Sequence, residues 1–324
     1  MSGINAQSIK ELRERTQAGM SDCKSALVEA EGDMEKAVEV ILKKGLVKSA
    51  KRAGAVAAEG EVRASIASDQ RSATIVEVNI QTDFAARNDA FKEFVSKVLT
   101  VAEQSTHGAD LHTQVVPGHG KTVGDIAVEL TGKIGEKVQV RRWARIEIPA
   151  GKEGLAHAYV HMGGKIGVVL VLETGTAAAA KSAEITALVD DLAMHIAATT
   201  PLVLRRSEIS AEEAARQKDI FTGQLKEDPK TAAKEAQWGK MIEGKLNKWY
   251  SEVALLEQES VVTKSDDAGK PIPAEKIEKL LEKAGKTLGT TVAIDRFVRF
   301  ERGEGIAREN KDDFAAEVAR MAAG

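Results

Sequence analysis

One strand-length stretch of this chain occurs twice, and that repeat limits what it can fold into. Ile134-Gly135, Val138, Val140, Arg142-Trp143 and Arg145-Ile146-Glu147 recur 154 residues later as Leu288-Gly289, Val292, Ile294, Arg296-Phe297 and Arg299-Phe300-Glu301. Each copy follows a helical segment and itself reads as a strand. Each half also holds an earlier hairpin followed by a helix. Val62, Ala64 and Ile66 alternate, SDQR turns the chain, and Thr74, Val76, Val78 and Ile80 return on one face, while YVHMGGKIGVVLVLE supplies the second hairpin. The first hairpin leads into DAFKEFVSKVLTVAEQ, where Phe91, Phe94, Val95, Val98, Leu99 and Ala102 make a helical stripe. The fold class this predicts is α+β, with two related subdomains, each an antiparallel sheet with helices on one face.

The length, 324 residues at 43% hydrophobic content, exceeds one core, since single cores stop growing at roughly 250 to 300 residues. Four units are expected: an N-terminal three-helix module over 1–54, core subdomains over 55–150 and 151–303, and a short helical module over 304–324. In the first, a helix from Asn5 carries Ile9 and Leu12 until Gln17, Ala18 and Gly19 break it. Ser21 is placed to cap a second helix with Cys23, Leu27 and Ala30 inward, and Asp33 a third with Met34, Ala37, Ile41 and Leu42, closed by Gly45. KSAKRAGAVAAEG then reads as a tether. Ser210-Ala-Glu-Glu213 reads as a capping box opening an insertion over 210–253, two helices parted by Asp228-Pro229 and packed antiparallel. Near the end, Asp312 or Asp313 caps a helix displaying Phe314, Val318 and Met321.

Charge and motif searches narrow the function. Lys+Arg 46 against Asp+Glu 49 leaves a net charge of -3, so no global field draws nucleic acid or an anionic membrane. A lone cysteine, Cys23, supports no internal disulfide framework and reads as a small core residue on an apolar helical face. Without an apolar leader or a run of about 18 apolar residues, a soluble cytoplasmic protein is expected. GHGKT at Gly118 to Thr122 resembles a phosphate loop, but Val115 stands where its first glycine belongs, and Leu280 spoils AGKT ending at Thr287 in the same way. The six histidines match no zinc spacing, no Ser-His-Asp elbow occurs, and helix capping accounts for Asp83 and Asp89. No cofactor, metal or bound nucleotide is expected, and no enzyme.

NIQTDFAARND, Asn79 to Asp89, is unusual because a large aromatic, Phe84, sits among turn-prone residues and alanines directly after a strand. From the residues alone it reads as a core residue opening a helix, as in the second DFAA at Asp313 to Ala316. A wider pattern then emerges. LRERTQAGMSDCKSAL from Leu12, TDFAARND from Thr82, HMGGKIG, MHIAATTP from Met194, and RFERGEGI and DFAAEVA near the end together resemble the bacterial elongation factor Ts family over essentially the whole chain.

That resemblance implies a guanine-nucleotide exchange factor for elongation factor Tu, with an N-terminal module like a ubiquitin-associated domain, a duplicated sheet core, an inserted helical hairpin and a C-terminal module. It implies that Asp83 and Phe84, introduced by Thr82, are presented to the GTPase, the ring wedging between helices of its nucleotide-binding domain. Arg13 and Met20 match residues that touch a helix of that domain, and His161 one that approaches the partner from the sheet hairpin. Gln17, Ser21 and Ala85 depart from the family pattern. Read without the resemblance, Met20 is equally a core residue, His161 a surface imidazole and Gly163-Gly164 a hairpin turn. Two rivals stand beside the exchange factor: a non-catalytic helix-binding scaffold or chaperone, and a hydrolase or transferase using Asp83, Asp89 or the histidines.

Overall fold

The computed structural model describes residues 4–16, 20–263, 269–270 and 272–307. The expectations for Gln17, Ala18 and Gly19 and for the helix after Asp312 lie outside them. Three helices come first, α1 (Ala6–Thr16), α2 (Met20–Glu29) and α3 (Met34–Arg52). Leu12, Cys23, Ala26, Leu27, Ala30 and Ala37 are buried between them. Four of these six are small, so the helices approach closely around two leucines. Asp33 caps α3 by accepting the Lys36 N–H at 3.0 Å. Ser21, expected as a cap, lies inside α2 instead, and Gly45 does not end α3, which runs on to Arg52.

β1 (Glu59–Ile66), β2 (Ser72–Ile80) and β3 (Gln139–Glu147) form one antiparallel sheet with β2 central. Between β2 and β3 lie the one-turn helix α4 (Asp83–Ala86), then α5 (Asp89–Gln104) and α6 (Val123–Ile134). Thr122 caps α6 with both bonds of a capping box, and Gly135 ends it in the left-handed conformation. α6 also explains Gly45. A mid-helix glycine costs about 1 kcal/mol, but here α3 crosses α6 backbone against backbone, where a Cβ on Gly132 would collide with Gly45. The packing offsets the propensity, so the helix continues.

The second half repeats the first: β4 (Glu153–His161), β5 (Ile166–Thr174), α7 (Ala177–Ala180), α8 (Ala183–Thr199), then α9 (Ala211–Glu227) and α10 (Trp238–Val253), and finally α11 (Ile277–Leu288) and β6 (Val292–Glu301). β4, β5 and β6 form the second antiparallel sheet with β5 central. α9 starts as expected at Ser210, whose hydroxyl accepts the Glu213 N–H, while the Glu213 carboxylate turns to Arg216. α10 returns antiparallel to α9: Trp238 at its start donates to the Thr231 carbonyl beside the turn, and Lys245, two turns on, reaches Gln224 and the Phe221 ring.

Val76, Val78 and Ile80 of β2 face α5 and α6, whereas Ala73 and Ile75 face the other way and meet Val169 and Val171 of β5. Correspondingly, Val168, Leu170 and Leu172 face α8 and α11. The layers therefore run helices, sheet, sheet, helices, and every residue of β2 is buried. Periodicity predicts the helical layer on one face; it does not reveal that the opposite face packs on the duplicate.

The duplication extends further than the sequence pattern suggests. Ser72 pairs with Glu147 and Ile166 with Glu301, so β2 and β5 correspond at a spacing of 94 residues. Gly60 and Gly154 fall at that spacing, and a Cβ on either would collide with a carbonyl of the central strand, at Val78 or Leu172. Thr82 and Thr176 cap α4 and α7, and Asn88 and Ser182 cap α5 and α8. Phe91, Phe94, Val95 and Val98 of α5 match Ile185, Leu188, Val189 and Leu192 of α8, all buried.

Candidate functional site

Thr82 leaves β2 in an extended conformation, and its hydroxyl oxygen accepts the Ala85 N–H at 3.2 Å, closing the single turn of α4. The same hydroxyl donates to Glu136 Oε1 at 2.8 Å, and the Thr82 N–H donates to Glu136 Oε2 at 3.0 Å. Next door, the Lys137 N–H donates to Gln81 Oε1 at 2.9 Å, so residues 81–82 and 136–137 clamp each other. Asp83, one residue into the helix, pairs with Arg87 at 3.0 Å, and the Arg87 guanidinium sits 6.0 Å from the centre of the Phe84 ring. The caps of α4 and α5 are thus Thr82 and Asn88, where capping was assigned to Asp83 and Asp89.

Phe84 is 79% exposed, whereas its neighbour Ala85 is buried against the first core. An exposed phenylalanine forgoes about 2 kcal/mol of burial, so the fold gains little from this ring. In the duplicate turn, Thr176 again caps, Ala179 is again buried, and Ala177 and Ala178 stand where Asp83 and Phe84 do. One turn of the same geometry thus forms without the Asp-Phe pair.

Thr82, Asp83 and Phe84 come together on this turn; the other predicted site residues lie elsewhere. His161 is exposed at the end of β4, its Nδ1 2.8 Å from the Tyr159 hydroxyl and its ring stacked on Tyr159. Met162, Gly163 and Gly164 follow with positive φ, and the Gly164 carbonyl accepts the Val62 N–H of β1 at 2.8 Å. α4 packs on the same strand. Arg13 is exposed on α1, and Met20, at the start of α2, is 49% exposed. Sequence reasoning missed Glu136, Arg87 and Tyr159. The repeat sets Glu136 opposite Thr290, a difference visible in the sequence, but nothing in the sequence pairs it with Thr82.

Buried ionisable groups serve the packing. Glu77, fully buried between the sheets, accepts from Asn79 Nδ2 at 3.1 Å, Arg141 Nη1 at 2.9 Å, Arg142 Nε at 2.6 Å and the Gly303 N–H at 2.8 Å. Burial alone pushes its pKa up, but the bonds from Gly303, Arg141 and Arg142 outweigh it and hold the carboxyl below its ordinary value. His195 of α8 is fully buried between Gln258 Oε1, 2.9 Å from Nε2, and the Val261 N–H, 3.2 Å from Nδ1. An Nδ1 that accepts belongs to a neutral imidazole, and burial holds its pKa below the usual histidine value. Cys23 is likewise fully buried. The Gly118 to Thr122 segment is a turn closed by a bridge between Val115 and Thr122, not a strand-to-helix phosphate loop. Among the described residues, no group of three His, Cys, Asp or Glu could hold a metal ion, and no helix is long and apolar enough to cross a membrane.

The family described as Elongation factor TS matches residues 81–304, a span that runs from the clamped turn to the residues just after β6. Curated proteins named Elongation factor Ts agree over nearly the whole length. That of Clostridium perfringens (strain SM101) is 41% identical over 320 residues, covering 98% of this chain and 99% of the relative. That of Rhodospirillum centenum is 42% identical over 330 residues, covering 99% and 100%, and that of Clostridium botulinum (strain Loch Maree) 38% over 321, covering 98% of each. The class these matches define is that of the translation elongation factors. Within it, the chain belongs to the elongation factor Ts family.

Proposed function

We propose that this chain binds the GDP form of elongation factor Tu in the cytoplasm and promotes GDP release so that GTP can bind. The observation that carries the reading is the exposed Phe84 on a clamped turn whose duplicate folds with Ala178 in its place. An apolar ring held in water by a rigid turn gains its burial energy only when a partner covers it. A GTPase holds GDP through Mg²⁺ and phosphate-loop amides, so a ring inserted among the elements that carry them weakens several contacts at once. By linkage, factor and nucleotide lower each other's affinity by the same ratio, and incoming GTP expels the factor. The exchange needs no covalent chemistry, cofactor or bound nucleotide on this chain.

In this reading Thr82 and Asp83 present the ring, His161 makes a second contact from the β4–β5 hairpin, and Arg13 and Met20 a third from the ubiquitin-associated-like module over 1–54. Core subdomains over 55–150 and 151–303, the hairpin over 210–253 and a C-terminal module over 304–324 complete the division. The test is the dissociation rate of a fluorescent GDP from elongation factor Tu, with the protein and with Phe84→Ala. Acceleration by the intact chain is expected, with more than about 2 kcal/mol of coupling lost in the variant. Binding without acceleration would favour a passive scaffold instead.

A further inference from the structure

The two copies of the one-turn helix differ at a residue far away in sequence. In the first copy the Glu136 carboxylate takes both polar hydrogens of Thr82, through Oε1 to the hydroxyl and Oε2 to the N–H. Glu136 follows Gly135, the left-handed end of α6; in the second copy the residue after the corresponding Gly289 is Thr290, which has no carboxylate. α7 nonetheless forms, capped by Thr176 through its hydroxyl alone. The carboxylate clamp is therefore not what the turn needs in order to fold. It occurs only in the copy that carries Asp83 and Phe84.

From this we infer that Glu136 is a positioning residue that fixes the direction in which Phe84 is held before a partner arrives. The inference rests on the exchange reading above. The physical need is plain: the Phe84 ring is 79% exposed, with the Arg87 guanidinium 6.0 Å from its centre. Packing cannot hold such a ring, so its aim depends on the backbone of a four-residue helix. A bidentate carboxylate on the cap, reinforced by the Lys137 N–H bond to Gln81, removes the rocking freedom that a single capping bond leaves. Pre-organisation of this kind lowers the ordering cost of binding without adding a contact to the partner. Glu136 then acts through Thr82, and its effect must vanish when there is no ring to aim.

The experiment compares wild type, Glu136→Ala, Glu136→Gln, Phe84→Ala and the Glu136→Ala/Phe84→Ala double variant. Two quantities are read: release of fluorescent GDP from elongation factor Tu, and hydrogen exchange of the Thr82 and Ala85 amides in the isolated chain. Glu136→Ala is expected to speed exchange of both amides at least tenfold, to leave the unfolding midpoint in place, and to raise at least tenfold the concentration giving half-maximal GDP release. Glu136→Gln, which keeps the shape and one good acceptor, is expected to fall between, and it carries the test should the alanine variant fail to fold. In the double variant Glu136→Ala is expected to add nothing to the loss from Phe84→Ala. Unchanged amide exchange overturns the clamp, and a loss that persists undiminished on the Phe84→Ala background overturns the positioning role. If wild type itself leaves GDP release unchanged, the exchange reading fails, and the amide data alone decide whether the clamp exists.

Discussion

Among the described residues, each half of the core buries an ionisable side chain where the other half has valine. Glu77 lies between the sheets at the position of Val171, and His195 lies beneath the second sheet at the position of Val101 on α5. The surroundings explain why the residues do not exchange. Glu77 is met by Arg141, Arg142 and the Gly303 N–H, whereas the positions related to these by the repeat hold Asp295, Arg296 and, in the first half, Pro149, which has no N–H. His195 has Gln258 and the Val261 N–H, both from the segment after α10; the first half repeats that segment with Gln114 in the place of Gln258, but Pro117, which has no N–H, in the place of Val261. A duplicated scaffold thus keeps its apolar positions and differs where one copy has a partner the other lacks. On the surface the copies differ at Asp83-Phe84 opposite Ala177-Ala178.

The largest effect should come from forcing the copies to match. Val171→Glu would bury a carboxylate in the cluster of Ile75, Ile146 and Phe300, and we expect it to remove about 4 kcal/mol or more of stability, measured by urea unfolding. The converse, Glu77→Val, leaves the Gly303 N–H and two guanidinium groups short of an acceptor and should cost about 3 kcal/mol. A smaller loss would mean that the bonds the arginines already make to Glu304 and to the Glu301 and Glu304 carbonyls suffice to hold them.

pH sharpens the same contrast at moderate cost. The folded pKa of His195 is lowered by burial, so the unfolded chain takes up protons first. Its stabilising share is complete above about pH 6.5 and is lost as pH falls through the lower folded value. His195→Val, which copies Val101, should flatten the pH dependence of the unfolding midpoint in that range. Glu77, also lowered, acts in a more acidic window: its share is present above the ordinary carboxylate value of 4.5 and disappears as pH falls through the folded one. Smallest of all, Phe84→Ala and Ala178→Phe should each change stability by less than about 0.5 kcal/mol, since both positions face solvent.

Much of this was readable before any coordinates. The stripe of α5, the β1–β2 hairpin and the repeat that ends in β3 and β6 follow from periods of 3.6 and 2, because buried faces dictate residue type. The 94-residue correspondence was not, since α9 and α10 lengthen the second half and shift its last strand to a spacing of 154. TDFAARND and TAAAAKSA are identical only at the capping threonine and at two alanines, Ala85 and Ala86 matching Ala179 and Ala180. The exposure of Phe84 could not be read either, as a phenylalanine opening a helix is ordinarily core. Glu136 was invisible because its partner, Thr82, lies 54 positions away, and a single carboxylate after a helix end carries no pattern. Gly45 misled because propensity says stop while a backbone contact with another helix says continue.

That last contact has a mechanical consequence. Where α3 crosses α6 at Gly45 and Gly132, neither helix carries a side chain, so at that point main chain meets main chain. Even a methyl group at Gly132 would act as a shim, and the lever it tilts is α3 with the bundle that rests on it. A tilt at this fulcrum is magnified at Arg13 and Met20 while Phe84 stays where the sheet holds it. The distance from that bundle to the turn of Phe84 is in this way gauged by two glycines.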